Sequence, residues 1–256
     1  MSDRALQDRV IRALADAPFR ASSAWRSAGL ADGERVERYA RFLARHFYHE
    51  RIVQFFKYSR ALARVTSRVP EAVLRSAAFD ALLPSVVLGS RETAQAVADL
   101  VSRHVRTSAA PVPYLGDLVR YEEAMMVVEA GPRVWRDSGG PGPTDGAARR
   151  APVKVEGTVL LELAYDLPTV LPALLAPWTE VPQAPRRATT LLVARSMHGR
   201  VAVARSDARV SAVLALADGT KTLSELAAGA GFPVAELEAT LDGLVDVGAI
   251  RFSTGS

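Results

Sequence analysis

A chain of 256 residues, 49% of them hydrophobic, is long enough for two domains with separate cores. It has no cysteine, which excludes disulfides, thiolate metal sites and cysteine nucleophiles and fits a reducing cytoplasm. No run of about 18 apolar residues occurs and Met1–Arg4 does not open a signal peptide, so neither a membrane span nor secretion is expected.

Residues 3–17 read as an amphipathic helix, with Leu6, Val10, Ile11 and Leu14 at helical spacing, ended by Pro18. Residues 19–32 read as loop, and Asp32 as the cap of the next helix. From Glu34 to Val65 the pattern is helical throughout. Val36, Tyr39, Leu43 and Phe47 form one stripe; Ile52, Phe55 or Phe56, Ser59 and Leu62 form another. The step from Phe47 to Ile52 is too long for a single stripe. It predicts either a break near His49 or one helix that changes its packing neighbour. Further helices are predicted at 71–83, 92–106 and 115–130. The net charge of +4 is concentrated here: nine basic residues stand between Arg35 and Arg68 against Glu37 and Glu50.

Residues 131–151 are dense in Gly and Pro and read as a flexible linker. The hydrophobic period then changes. Val153, Val155 and Val159–Leu163 predict strand, and Pro168 and Pro172 bracket a short helical turn. A β-hairpin is predicted over Thr189–Arg205, turning at Met197-His198-Gly199. Helices follow at Asp207–Ala217, Thr222–Ala228 and Val234–Val247, then an extended Ile250–Phe252. The expected fold class is therefore α+β. An N-terminal all-α bundle (1–130) and the linker (131–151) precede a winged-helix domain (152–256) of a small antiparallel sheet plus three helices.

A DNA-reading winged helix sets its third helix in the major groove and flanks it with basic residues. Here that helix carries Glu236, Glu238, Asp242 and Asp246 and no basic residue. A transcription regulator with an N-terminal sensing domain is thus the alternative, and nucleic acid is not the expected ligand. The stronger reading is β-augmentation, in which an extended peptide adds to the hairpin edge. The groove would lie between Arg200, Val201, Ala202, Val203 and Arg205 of the strand and Glu236, Leu237, Thr240, Leu241 and Leu244 of the helix. Its acidic side would favour a basic peptide.

Two strings in the helical half stand out. Arg38–Arg60 packs seven aromatics into 23 residues of an otherwise aromatic-poor chain. One helix face buries only about half of such a set, and aromatics interleaved with Arg suit a protein interface better than RNA. In Pro113–Glu122 the helix places Leu115, Leu118 and Glu122 together, and a salt bridge from Glu122 to an arginine is expected. His46, His49 and Glu50 share a helical face, but no Glu-x-x-His pair exists to build a metal-binding bundle. No metal ligands and no catalytic residues are assigned.

The string Tyr39–Arg60, the string Pro113–Glu122 and Asp218-Gly219-Thr220-Lys221-Thr222-Leu223 together resemble the partner subunits of multinuclear non-heme iron-dependent oxidative enzymes that modify ribosomally made peptides. The C-terminal part resembles a PqqD-like precursor recognition element. The resemblance covers roughly 30–130 and 152–252. It implies a non-catalytic subunit that binds the leader of a precursor peptide and presents its core to a TIM-barrel enzyme. Iron would sit in that enzyme, and this chain would bind no cofactor of its own. On this reading Arg41, Arg45, Tyr48, His49, Arg51, Lys57 and Tyr58 dock the enzyme, and Tyr114, Asp117 and Glu122 shape that surface.

Overall fold

Capping side chains, more than proline, decide where the helices of the first half begin. A computed structural model describes residues 3–27, 33–130, 151–196 and 198–252. The expected cap Asp32, linker residues 131–150 and the turn residue Met197 lie outside the described residues. Helix α1 (Asp3–Ala15) is followed by α2 (Ala17–Ala21), whose cap Asp16 accepts from the Phe19 N–H at 2.8 Å. Pro18 therefore sits in the first turn of a helix, a position it favours, where a helix end had been expected. Ser22 caps α3 (Ser23–Arg26) through the Trp25 N–H. Residues expected as loop from 19 are thus helical as far as Arg26, because two short side chains supply the donors' missing acceptors.

Helix α4 (Gly33–Phe55) runs unbroken past His49 and gives way to α5 (Lys57–Thr66) at Phe56. A 3-10 turn, Pro70–Arg75, and α6 (Ala77–Leu82) replace the single helix expected at 71–83, divided by Ser76, which caps α6. Helices α7 (Arg91–Arg106) and α8 (Leu115–Glu129) lie where expected. The buried face of α4 is Ala40, Ala44, Tyr48, Ile52 and Phe55. The expected stripe is displaced by one residue at its start, leaving Tyr39 52% exposed. The reason is size: α1 packs on α4, and Ala13, Ala40 and Ala44, all buried, let two helix backbones approach where larger side chains would hold them apart.

The second half holds β1 (Pro152–Lys154), β2 (Val159–Leu163), α9 (Leu167–Leu175), β3 (Thr189–Arg195), β4 (Val201–Ser206), α10 (Ala208–Leu216), α11 (Leu223–Ala230), α12 (Val234–Asp246) and β5 (Ile250–Phe252). Strands β2, β3 and β4 form an antiparallel sheet in that order, with Leu160, Leu192 and Ala204 in register and Ala194 opposite Ala202. Strand β5 returns to pair with β1, Val153 opposite Arg251. Contacts divide the chain into two units: Met1–Met126 with Val170–Gln183, and Val127–Thr169 with Ala184–Ser256. The division differs from the expected one in assigning 170–183 to the first unit and 127–130 to the second. There Trp178 lies under the Arg64 guanidinium, 3.1 Å from ring centre to Cζ, and donates through Nε1 to the Leu174 carbonyl.

The second unit's core follows from the strand period. Leu192 and Ala194 of β3 point to one face, and Val213, Leu214, Leu226, Leu237, Leu241, Leu244 and Ile250 from the helices and β5 bury against them. Each such leucine contributes roughly 1.5–3 kcal/mol by leaving water. Asp207 caps α10 through the Val210 N–H, and Thr222 with Glu225 forms a reciprocal capping box on α11. The architecture is mixed α+β, a helical N-terminal region and a small antiparallel sheet with helices. No helix among the described residues is long and apolar enough to cross a membrane.

Candidate functional site

Strand β4 is an edge. It pairs with β3 on one side, and among the described residues no other backbone group hydrogen-bonds it on the other. An unpaired row of N–H and C=O groups is a template for another strand. The other edge of the sheet, β2, buries Leu161 and Leu163, whereas no side chain of β4 is fully buried. Alternation sends Ala202, Ala204 and Ser206 to the helix-bearing face with Leu192 and Ala194. Val201, Val203 and Arg205 take the opposite face. The helix-facing residues of β4 are small, which leaves space beside the strand on that side.

Two contacts hold the ends of α12. At its start, Glu236 pairs with Arg209 of α10 at 3.6 Å, a few residues beyond the end of β4. At its end, Gly248 meets β3. A Cβ there would stand 2.0 Å from the Arg195 carbonyl oxygen, so only glycine fits. Gly248 has φ +77°, and the Ala249 N–H reaches back to the Leu244 carbonyl at 2.8 Å while the Gly248 N–H reaches Val245 at 2.9 Å. These two bonds make a Schellman end. The start of α12 is thus tied to α10, which follows β4, and the turn after its end is held against the end of β3. Glu236, Thr240, Gly243 and Val247 share one face of α12 at helical spacing. Thr240 and Val247 are half-buried, Glu236 and Gly243 exposed.

The structure corrects one part of the expected groove. Leu237, Leu241 and Leu244 are 0%, 0% and 4% exposed and belong to the core. The sheet face needs the whole apolar stripe of α12 to cover it, so none of the three is left to line a groove. Arg200, Val201, Ala202, Val203 and Arg205 stand on or beside the open edge, and Glu236 and Thr240 share one face of α12.

Arg205 is held in place. The Asp166 carboxylate, with no exposed surface, accepts from Arg205 at 2.5 Å and from Arg187. Burial alone would raise this carboxyl; hydrogen bonds from Arg205 and Arg187 outweigh it and hold it below the ordinary range. Sequence reasoning missed Asp166 and Arg187. Neither lies in a periodic element or a recognised string, so only the fold brings them together.

In the first unit, the expected docking residues separate. Arg41 is exposed and pairs with Glu37 at 2.8 Å; Arg45 pairs with Asp80; His49 and Lys57 are exposed; Arg51 and Tyr58 are half-buried. Asp117 lies 3.7 Å from Arg120. Tyr48 and Tyr114 are each 1% exposed and Glu122 is 0%, so these three shape no surface. Tyr48 occupies the core slot that the alanine spacing of α4 creates, and Tyr114 donates its hydroxyl to the Pro182 carbonyl at 2.6 Å.

Glu122 takes no arginine, contrary to the expected salt bridge. Its Oε1 accepts from the Tyr58 and Ser59 N–H groups at 2.7 and 3.0 Å, and Ser59 Oγ donates to Oε2. These N–H groups open α5 just after the break at Phe56. A carboxyl group from α8 thus caps a helix that has no capping side chain of its own. Burial pushes the Glu122 carboxyl up to about 8 against the pull of these donors.

What α4 does expose is an aromatic row. Tyr39 and Phe42 are 52% and 61% exposed, with ring centres 6.2 Å apart, and Phe42 stacks on His46 at 6.2 Å and 3°. His46 lies 3.4 Å from Glu50. Among the described residues no three His, Cys, Asp or Glu side chains are grouped as metal ligands. No protein-family model matches the sequence, and comparison with curated proteins returns no match.

Proposed function

We propose that this chain is a non-catalytic partner subunit of a multinuclear iron oxidative enzyme acting on a ribosomally made peptide, and that its second unit is a PqqD-like recognition element for the leader. The observation that carries the reading is the free edge of β4, with small helix-facing side chains. Such an edge takes an extended peptide as an added strand, backbone bonds supplying affinity and flanking side chains supplying choice. The outward acids of α12 oppose a nucleic-acid ligand, since each would repel phosphate.

The first unit docks the enzyme through the exposed row Tyr39, Phe42 and His46 on α4. Arg38 and Arg41 stand beside it, so the complementary surface is acidic. Large exposed aromatics flanked by arginine are the side chains that carry binding energy when an interface closes over them.

The experiment is co-expression of the tagged chain with its neighbouring reading frames. Retention of an iron-containing barrel protein and a small peptide is the expected result. Phe42→Asp should lose the enzyme by at least about 2 kcal/mol of binding while keeping the melting temperature, and Val203→Pro should lose the peptide. Recovery of the chain alone, binding duplex DNA with a steep salt dependence, would overturn the proposal.

A further inference from the structure

The outer face of β4 is charged in a way the helix-bearing face is not. Arg205 and Arg187 are 48% and 66% exposed in their side chains and share a single buried carboxylate, Asp166. One negative charge against two positive leaves an excess positive charge at this end of the strand. Arg205 commits one terminal nitrogen to Asp166, and a guanidinium has five N–H donors. Its remaining donors face solvent from a fixed position, so little side-chain freedom is lost when a second acceptor arrives. Two residues back, Val203 is 37% exposed on the same face.

We infer that the peptide added to β4 carries a carboxylate side chain opposite Arg205 and an apolar side chain two residues away, opposite Val203. The inference rests on the reading of β4 as the peptide-binding edge. The spacing follows from the strand period, because residues two apart share a face whichever direction the added strand runs. Directly opposed side chains on neighbouring strands stand close enough to pair, and unlike charges there are favourable while like charges oppose binding. This reverses the expectation of a basic peptide from the acids of α12. Of those acids, Glu236 already pairs with Arg209.

The test is selection of a displayed library of random short peptides on the full chain, on Arg205→Glu and on Val203→Pro. The expected result is enrichment of Asp or Glu two residues from an apolar side chain on the natural chain. The preference should invert to Lys or Arg on Arg205→Glu. A selected acidic peptide should bind Arg205→Glu about tenfold more weakly. Should Arg205→Glu melt before it can be assayed, Arg205→Gln, which keeps a donor for Asp166, is expected to lose the acidic preference without gaining a basic one. Peptides that bind the natural chain but not Val203→Pro, and show no acidic preference or one that neither Arg205 variant alters, overturn the inference and leave the β4 reading standing. Failure to enrich any peptide over Val203→Pro overturns the β4 reading itself.

Discussion

Gly248→Ala should be the most damaging single substitution in the second unit, costing about 3–5 kcal/mol. Two costs combine. The residue has φ +77°, where an L side chain is disfavoured by roughly 1–2 kcal/mol. The new Cβ would also stand 2.0 Å from a backbone oxygen, that of Arg195, and a strand in the middle of a sheet cannot swing aside as a flexible side chain would. Relief requires α12 to lift from the hairpin end, which also opens the groove beside β4. Thermal melting of the full chain should therefore fall by about 10 °C or more, and peptide affinity should fall with it. Gly243→Ala is the control. It lies inside α12 with open space around its would-be Cβ and should stabilise the chain by about 0.5–1 kcal/mol. A Gly248→Ala chain that melts with the natural one would show that the close approach of α12 to β3 is not a constraint.

Glu122→Ala should be comparably severe in the first unit, at roughly 3–5 kcal/mol. It strands the Tyr58 and Ser59 N–H groups at a buried helix start and leaves a cavity where a side chain of no exposure had been. Glu122→Gln is nearly isosteric, keeps an acceptor, and separates the cap from the charge. The carboxyl titrates near its ordinary value of 4.5 when unfolded and is pushed up to about 8 when folded. A raised folded value means that the protonated form is favoured by folding. Its contribution is fully present below about 4.5 and is lost as pH rises through about 8. The natural chain should thus lose stability across that interval, with a slope approaching about 1.4 kcal/mol per pH unit. Denaturant titrations of the two chains across it would show the slope in one and its absence in Glu122→Gln. Parallel curves would mean that Glu122 is ionised throughout, its three donors outweighing burial.

How much of this was legible in the sequence varied with the physics at each place. The hairpin and the three helices after it were read nearly to the residue. The apolar runs on either side of a glycine-containing turn, the capping pair Thr222 and Glu225, and the glycines after α11 and α12 are all local signals. The pairing of β5 with β1 was not legible, because two three-residue strands nearly a hundred residues apart carry no local trace of each other. On α4 the large apolar side chains misled. The face that packs is the one with Ala40 and Ala44, and Tyr39 and Phe42 are left outside. A count of hydrophobic volume along the chain overlooks that closeness of helices favours small residues.

Among candidate site residues, the hairpin that carries β4 is legible because its turn and strands are sequence-local, whereas its edge position follows from the sheet order β2-β3-β4. The leucines of α12 were assigned to the groove although they are its floor's support, since a single periodic stripe does not say which neighbour covers it. Glu122 was read as half of an ion pair. Its true partners are backbone donors at a helix break at Phe56, where the sequence left open either a break near His49 or none. Asp166, which sets Arg205, was invisible for the same reason that its position matters: it is joined to Arg187 and Arg205 only through the fold.

The central claim is that β4 accepts an extended peptide. It is tested most directly by backbone amide hydrogen exchange on the full chain, with and without a peptide selected on it. Protection confined to Val201–Ser206 and the adjoining face of α12, with β2 unchanged, is the expected result. Protection that appears on β2 or on α4 and leaves the amides of β4 exchanging as before would contradict the account.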